Sequence, residues 1–129
     1  MNPAAEGTTY PAVRFVVDPS RVAVFRSLFG ISDGVPPTFV TAAEFAAFPQ
    51  IAADRHLDLD FSRVVHGSQA YRFRRALAEG EDLVVRARIE SIRIRGGNGF
   101  VTIAMDLEDA DGDVVCTARS QMVERAAGA

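Results

Sequence analysis

The sequence has no lysine and no tryptophan, a single cysteine and only two histidines among its 129 residues. One cysteine excludes an intrachain disulfide and a cysteine-rich zinc site, and the apolar setting Val114-Val115-Cys116-Thr117-Ala118 predicts a buried thiol in a reducing compartment. His56 and His66 with one distant cysteine fall short of the three or four ligands zinc needs, so no metal is expected. No apolar run approaches the roughly 18 residues that cross a bilayer. Met1 to Thr9 also lacks the basic and apolar regions of a signal peptide, so a cytoplasmic protein with no membrane partner is expected. All 14 basic residues are arginine, and 17 acidic residues outnumber them to give a formal charge of -3, which argues against a nucleic-acid partner.

Several chemistry-bearing motifs fail on inspection, and no cofactor is expected. There is no Gly-x-Ser-x-Gly nucleophile elbow. Gly97-Asn98-Gly99 lies between two strand patterns instead of opening a helix, which rules out a dinucleotide fingerprint. Asp109-Ala110-Asp111-Gly112-Asp113 resembles a calcium loop, but its glycine comes too early and Ser120 stands where a bidentate glutamate is required.

With 48% hydrophobic and 24% charged residues, the chain has the composition of a folded domain. Its length suits one domain, expected over residues 10–125, between a disordered segment 1–9 and a flexible tail 126–129. A strand is predicted at Val13 to Val17. Asp18-Pro19 then supplies an N-cap and a first-turn proline for a helix whose face carries Val22, Phe25, Leu28 and Phe29 and which stops at Gly30. Thr41-Ala42-Ala43-Glu44 reads as a capping box opening a second helix, expected to be mostly buried through Phe39, Phe45 and Phe48. Pro49 either ends that helix or opens a further turn through Ile51 to Ala53.

From Ser68 the apolar period becomes two. Tyr71 and Phe73 alternate with Arg72 and Arg74, and Leu83, Val85, Ala87 and Ile89 alternate with Arg86, Arg88 and Glu90. Parity flips between Ile89 and Ile92, with Ile94 continuing the new phase, which predicts a β-bulge near Glu90-Ser91. Hairpin turns are expected at Gly96-Gly97-Asn98-Gly99 and at Asp111-Gly112. They join a strand with Val101, Ile103, Met105 and Leu107 inward to one with Val114, Cys116, Ala118 and Met122 inward. The predicted class is α+β, an antiparallel meander wrapped around a buried helix.

That order in about 130 residues resembles a hot-dog fold. Four segments sharpen the resemblance: Val35-Pro36-Pro37-Thr38-Phe39, Val65-His66-Gly67-Ser68-Gln69-Ala70-Tyr71-Arg72-Phe73, Gly80-Glu81-Asp82-Leu83 and Asp111-Gly112-Asp113-Val114-Val115. Together, over Tyr10 to Glu124, they resemble the N-terminal-type half of the MaoC-like dehydratases, a family that includes the dehydratase subunits of mycobacterial type II fatty-acid synthesis. The resemblance implies hydration or dehydration of acyl thioesters carried on coenzyme A or acyl carrier protein. Family members use an aspartate base and a histidine acid from the signature Asp-x-Asn-Pro-x-His. Here the corresponding stretch, Leu28 to Pro36, has Asp33 but no histidine. By analogy the chain is then a substrate-shaping subunit, homodimeric alone or heterodimeric with a catalytic MaoC-like partner. An acyl-thioester hydrolase on the same fold and a binding module without turnover are the alternatives.

Candidate catalytic residues are His66 and Asp33. His66 reads either as a general acid or base or as an imidazole bonded to backbone beside Gly67. Candidate substrate-binding residues are Val35 and Phe39 for an acyl channel, Gly67 and Gln69, and Arg72, Arg74 and Arg93 for a pantetheine phosphate or an acidic carrier surface. The plainer alternatives are core packing for the apolar pair and a solvated sheet face for the arginines.

Overall fold

The structure, a computed structural model, describes residues 1–128. Strand β1 (Val13–Val16) leads into helix α1 (Pro19–Phe29), a 3-10 turn (Pro37–Val40) and helix α2 (Thr41–Ala52). Four longer strands follow: β2 (Val64–Phe73), β3 (Asp82–Arg95), β4 (Asn98–Glu108) and β5 (Val114–Glu124). They form one antiparallel five-stranded sheet in the order β1-β3-β4-β5-β2, so β1 and β2 are its edges.

Helix α1 starts and stops at the expected signals: Asp18 Oδ1 accepts from the Ser20 amide at 2.9 Å, and Gly30 closes the helix at φ 66°. Its apolar face is not buried as expected. Val22 is fully buried and Phe25 half-buried, but Leu28 and Phe29 are 73% and 65% exposed because the helix meets the core only through its first half.

Helix α2 departs further from expectation. No capping box forms, because the helix continues directly out of the 3-10 turn and the Thr41 amide already has the Phe39 and Thr38 carbonyls as acceptors. The Thr41 and Glu44 side chains are therefore free to turn to the sheet. Buried Ala43, Ala47 and Ile51 recur every fourth residue and face the sheet, and the two small side chains let helix and sheet approach closely. Phe45, expected in the core, is on the other side and 71% exposed. Pro49 does not end the helix, which makes the further turn expected through Ile51 and caps at Ala53; the proline is exposed on the same face as Phe45, so the carbonyl it cannot serve is on the wet side.

The inward row of β3 is buried as predicted, and the bulge is where parity placed it: Ile89 pairs with Ile103, Ser91 pairs with Thr102, and Ile92 turns back into the core. Ile94 lies beyond the helix and is 48% exposed. On the outer face arginines pair across strands, Arg86 with Glu108 at 3.0 Å, Arg88 with Asp106 at 2.8 Å and Arg119 with Glu90 at 2.9 Å.

Residues 1–9, expected to be disordered, are tied to the sheet. Ala5 is fully buried, Glu6 accepts from the Ile92 amide at 2.8 Å, and Thr8 and Gly7 exchange backbone bonds with Ile89, covering the part of β3 that β1 leaves unpaired. At the other end the Ala126 amide bonds the Asn98 side chain at 2.8 Å; Ala129 lies outside the described residues. Among the described residues no helix is long and apolar enough to cross a membrane.

Candidate functional site

The site is built where α2 crosses the inner face of β2, β5 and β4. In an unbroken strand His66 and Gln69 would point to opposite faces. Strand β2 is irregular at Gly67: His66 pairs with Met122 whereas Ser68 pairs with Gln121 and Gln69 with Ser120. The extra residue inverts the alternation and brings His66 and Gln69 to one face beside Ser120 and Met122. Glycine fits this bulge because a β-carbon there would lie 3.3 Å from both the Gln121 carbonyl and Val123 Cγ2.

Glu44 comes down from α2 into this group and is only 7% exposed. Its carboxylate accepts from Tyr71 Oη at 2.7 Å, from Gln69 Nε2 at 3.0 and 3.3 Å, and lies 3.0 Å from Ser120 Oγ. Thr41 Oγ1 is 2.7 Å from Tyr71 Oη, Ser120 Oγ is 2.5 Å from Gln69 Oε1, and His66 Nε2 is 3.1 Å from the same amide oxygen. The six side chains form one connected polar cluster, and among the described residues no buried side-chain nitrogen or oxygen lacks a partner. Burial pushes the Tyr71 phenol up to about 12, with the neighbouring Glu44 carboxylate adding to it, so Tyr71 remains a donor at neutral pH. Burial likewise raises Cys116, the predicted buried thiol, to about 11, which keeps it an unreactive thiol.

The cluster opens on a cavity of about 320 Å³ whose remaining walls are Phe45, Phe48, Ile103, Met105 and Met122. A second cavity of about 490 Å³ runs between α1 and α2, lined by Arg21, Val24, Phe25, Leu28, Phe39 and others. Thr41 and Phe45 line both, so Phe45 stands between a cavity floored by the polar cluster and one that is mostly apolar apart from Ser20, Arg21 and Thr41. An extended apolar chain with a polar reactive end suits this pair of spaces.

The residues singled out from sequence are distributed unevenly. His66 and Gln69 line the polar cavity and Gly67 creates the bulge that puts them there, while Phe39 lines the larger cavity as a buried ring edge-on to Phe25 and tilted against Phe15. Val35 packs against the core and lines neither space. Asp33 is exposed in the loop after α1 and is not among the residues of either cavity, so the structure does not bring it to His66. The backbone role weighed for His66 gives way to a side-chain bond with Gln69.

The arginines do not converge. Arg72 is exposed on edge strand β2, opposite in phase to Tyr71 and Phe73, and Arg74 is exposed in the bend that follows the strand. Arg93 is on β3, three strand spacings or about 14 Å across the sheet, and is paired with Glu6 at 2.9 Å. Thr41, Glu44, Tyr71 and Ser120 are not among the candidate site residues the sequence offers; the capping-box pattern absorbs Thr41 and Glu44. Asp109, Asp111 and Asp113 do cluster, but Asp109 Oδ1 accepts from the Asp111 and Asp113 amides, which organises the hairpin turn the sequence predicted.

A five-stranded antiparallel sheet, a helix laid across its inner face and cavities on either side of that helix define a hot-dog domain. Solved structures share the fold. The C-terminally truncated HadBC (3R-hydroxyacyl-ACP dehydratase) complex from Mycobacterium tuberculosis superposes with a TM-score of 0.75 at 22% identity, over 92% of this chain and 96% of that one. A MaoC-like dehydratase from Phytophthora capsici gives 0.80 at 17% identity over 100% of this chain and 52% of that one. Residues 8–118 match the family described as the FAS1-like, dehydratase domain region, and the chain belongs to that family. Among its relatives is a UPF0336 protein of Streptomyces griseus, 38% identical over 124 residues, which are 95% of this chain and 78% of that protein. Another, from Streptomyces avermitilis, is 44% identical over 92 residues, 71% of this chain but 61% of the relative, so this chain spans less than two thirds of that relative's length.

Proposed function

We propose that the chain is the substrate-shaping subunit of a cytoplasmic (R)-specific 3-hydroxyacyl-thioester dehydratase or enoyl-thioester hydratase, with its catalytic pair supplied by a MaoC-like partner. The observation that carries the proposal is the composition of the polar cavity: the histidine facing it is bonded to an amide, and no aspartate is paired with it. Dehydration removes a proton from the α-carbon and protonates the departing 3-hydroxyl, so it needs a base and an acid on one substrate, and losing either costs typically 10²- to 10⁴-fold. The two adjoining cavities offer room for the acyl chain, and the exposed guanidinium groups of Arg72 on β2 and Arg74 just after it suit a phosphate or a carrier protein's acidic surface. HadBC, with the same fold, is by its name a complex that dehydrates a 3-hydroxyacyl carrier-protein substrate, which favours a two-subunit arrangement. The unpaired edge of β2 favours association as well.

The test is hydration of octenoyl-coenzyme A followed at the enoyl absorbance. The chain alone is expected to be inactive at any pH. Coexpression with a chain carrying Asp-x-Asn-Pro-x-His is expected to give activity with altered chain-length preference relative to that partner alone. Rapid hydration by the isolated chain, abolished by His66→Ala, would sink the proposal. One observation favours hydrolysis as a second reading: Glu44 places a carboxylate at the cavity wall, where it is able to activate water. Release of free thiol from octanoyl-coenzyme A would decide for it, because hydration leaves the thioester intact.

A further inference from the structure

The hydrogen bonds around Gln69 fix more than its position. A glutamine amide presents two donors at one end and an acceptor at the other, and only the surrounding network decides which end is which. Here one end faces both oxygens of Glu44, at 3.0 and 3.3 Å. A carboxylate only accepts, so that end is the Nε2 donor, and reversing the amide would set oxygen against oxygen in a buried site. The carbonyl Oε1 is thereby turned to Ser120 and His66. An acceptor opposite His66 Nε2 requires the proton on Nε2, and a neutral imidazole protonated at Nε2 carries its lone pair on Nδ1. Among the described residues Nδ1 has no hydrogen-bond partner, and the ring lines the cavity of about 320 Å³.

Glu44 is itself held. Thr41 Oγ1 and Tyr71 Oη are in contact, Tyr71 donates to Glu44 Oε1, and Gln69 donates to both oxygens, so the order of donation runs toward the carboxylate from both sides. Ser120 has one proton, and its 2.5 Å contact with Gln69 Oε1 requires that proton between the two oxygens, which agrees with Oε1 being the acceptor end of the amide; Glu44 Oε2 is the more distant neighbour at 3.0 Å.

We infer that Glu44, acting through Gln69, is a positioning residue that locks His66 as the Nε2–H tautomer and reserves Nδ1 as an acceptor for the hydroxyl of a 3-hydroxyacyl thioester. The tautomer assignment stands on the hydrogen bonds alone, while the ligand rests on the function proposed above. His66 is then a hydroxyl-binding residue, without a paired acid, in a cavity it shares with Thr41, Glu44, Gln69 and Ser120 and with apolar side chains.

Long-range ¹H–¹⁵N spectra of the full chain, labelled at histidine and recorded at pH 8, read the tautomer directly. The exposed His56 serves as an internal reference, since among the described residues its ring has no side-chain bond. The wild type is expected to show His66 as pure Nε2–H. Glu44→Gln, nearly isosteric, removes the acceptor-only constraint and is expected to introduce an Nδ1–H population at His66, although residue 44 does not touch it; His56 is expected not to change. Gln69→Leu, which removes the acceptor, is expected to give His66 the tautomer mixture of His56. A wild-type His66 with the mixture of His56, or a tautomer unaltered in both variants, overturns the assignment. Calorimetric titration with 3-hydroxyoctanoyl- and octanoyl-pantetheine tests the ligand. A roughly fivefold preference for the hydroxylated probe is expected, as for one hydrogen bond, and its loss in Glu44→Gln. Equal binding of the two probes refutes the hydroxyl acceptor, whereas binding of neither refutes the function reading and leaves the tautomer result standing.

Discussion

Replacing Glu44 with alanine tests whether the polar cluster has the connectivity described. Three side chains donate to or touch the carboxylate, and charge-assisted hydrogen bonds contribute about 1.5–3 kcal/mol each when counted separately, which would total about 4.5–9 kcal/mol. The network predicts much less. After truncation Tyr71 still has Thr41 at 2.7 Å, and Ser120 still has Gln69 Oε1 at 2.5 Å. Only the Gln69 amide loses its partner, and one stranded donor costs about 1–3 kcal/mol. The lost methylene adds about 0.8 kcal/mol, and relief from burying a carboxylate offsets part of the sum. The net expectation is about 2 kcal/mol, or roughly 7 °C in Tm for a domain of this size. Urea denaturation and differential scanning calorimetry at pH 7 measure it, and a far-UV spectrum checks that the fold persists. A loss above roughly 5 kcal/mol would mean that Tyr71 and Ser120 lack their second partners, and no loss would mean that Glu44 is not in the cluster. Adding Thr41→Val sharpens the test, because it removes the alternative partner of Tyr71. The cost of Glu44→Ala should then rise by about 1 kcal/mol, a coupling that a double-mutant cycle isolates.

Phe45→Ala should leave stability within about 0.5 kcal/mol, since the ring is 71% exposed. It should shift binding preference from octanoyl- toward hexadecanoyl-pantetheine by joining the two cavities, and an unchanged chain-length profile would show that Phe45 does not separate them. Gly67→Val forces the new side chain against the Gln121 carbonyl and Val123, both 3.3 Å from a β-carbon, and should cost about 1–3 kcal/mol. It should also abolish the His66–Gln69 contact; a retained His66 Nε2–H signal would refute the role given to the bulge. At alkaline pH the native Cys116 thiol and Tyr71 phenol, raised to about 11 and about 12, hold protons that the unfolded chain releases nearer 9 and 10. Because the unfolded state binds fewer protons in that window, stability should be full below pH 9 and fall between about pH 9 and 12. Cys116→Ala should flatten the lower part of that fall in urea melts, and an identical slope would refute the attribution.

What was legible in the sequence and what was not divide along one physical line. The long strands were readable because their faces differ chemically, so parity alone located the bulge at Glu90, and Asp18-Pro19 and Gly30 bound α1 through local bonds. The same parity logic failed at Gly67, because β2 alternates an interior that is itself polar, with His66 and Gln69 inside and Ser68 and Ala70 outside. A one-residue slip there only exchanges Val64 for Val65, two identical side chains, and so leaves no trace in the pattern. Glu44 was misread for a related reason. Threonine followed three residues later by glutamate satisfies a local rule, and only the 3-10 turn ahead of α2, which supplies other acceptors for the helix amides, shows that the rule is not needed. Thr41 and Glu44 thus bond Tyr71, Gln69 and Ser120, residues up to 76 positions away, in place of their own helix end. A polar pair released from its expected local bonds and buried against a polar strand is where sequence rules fail and where a ligand finds directional partners. The site is therefore hidden from pattern reading by the same features that make it a site.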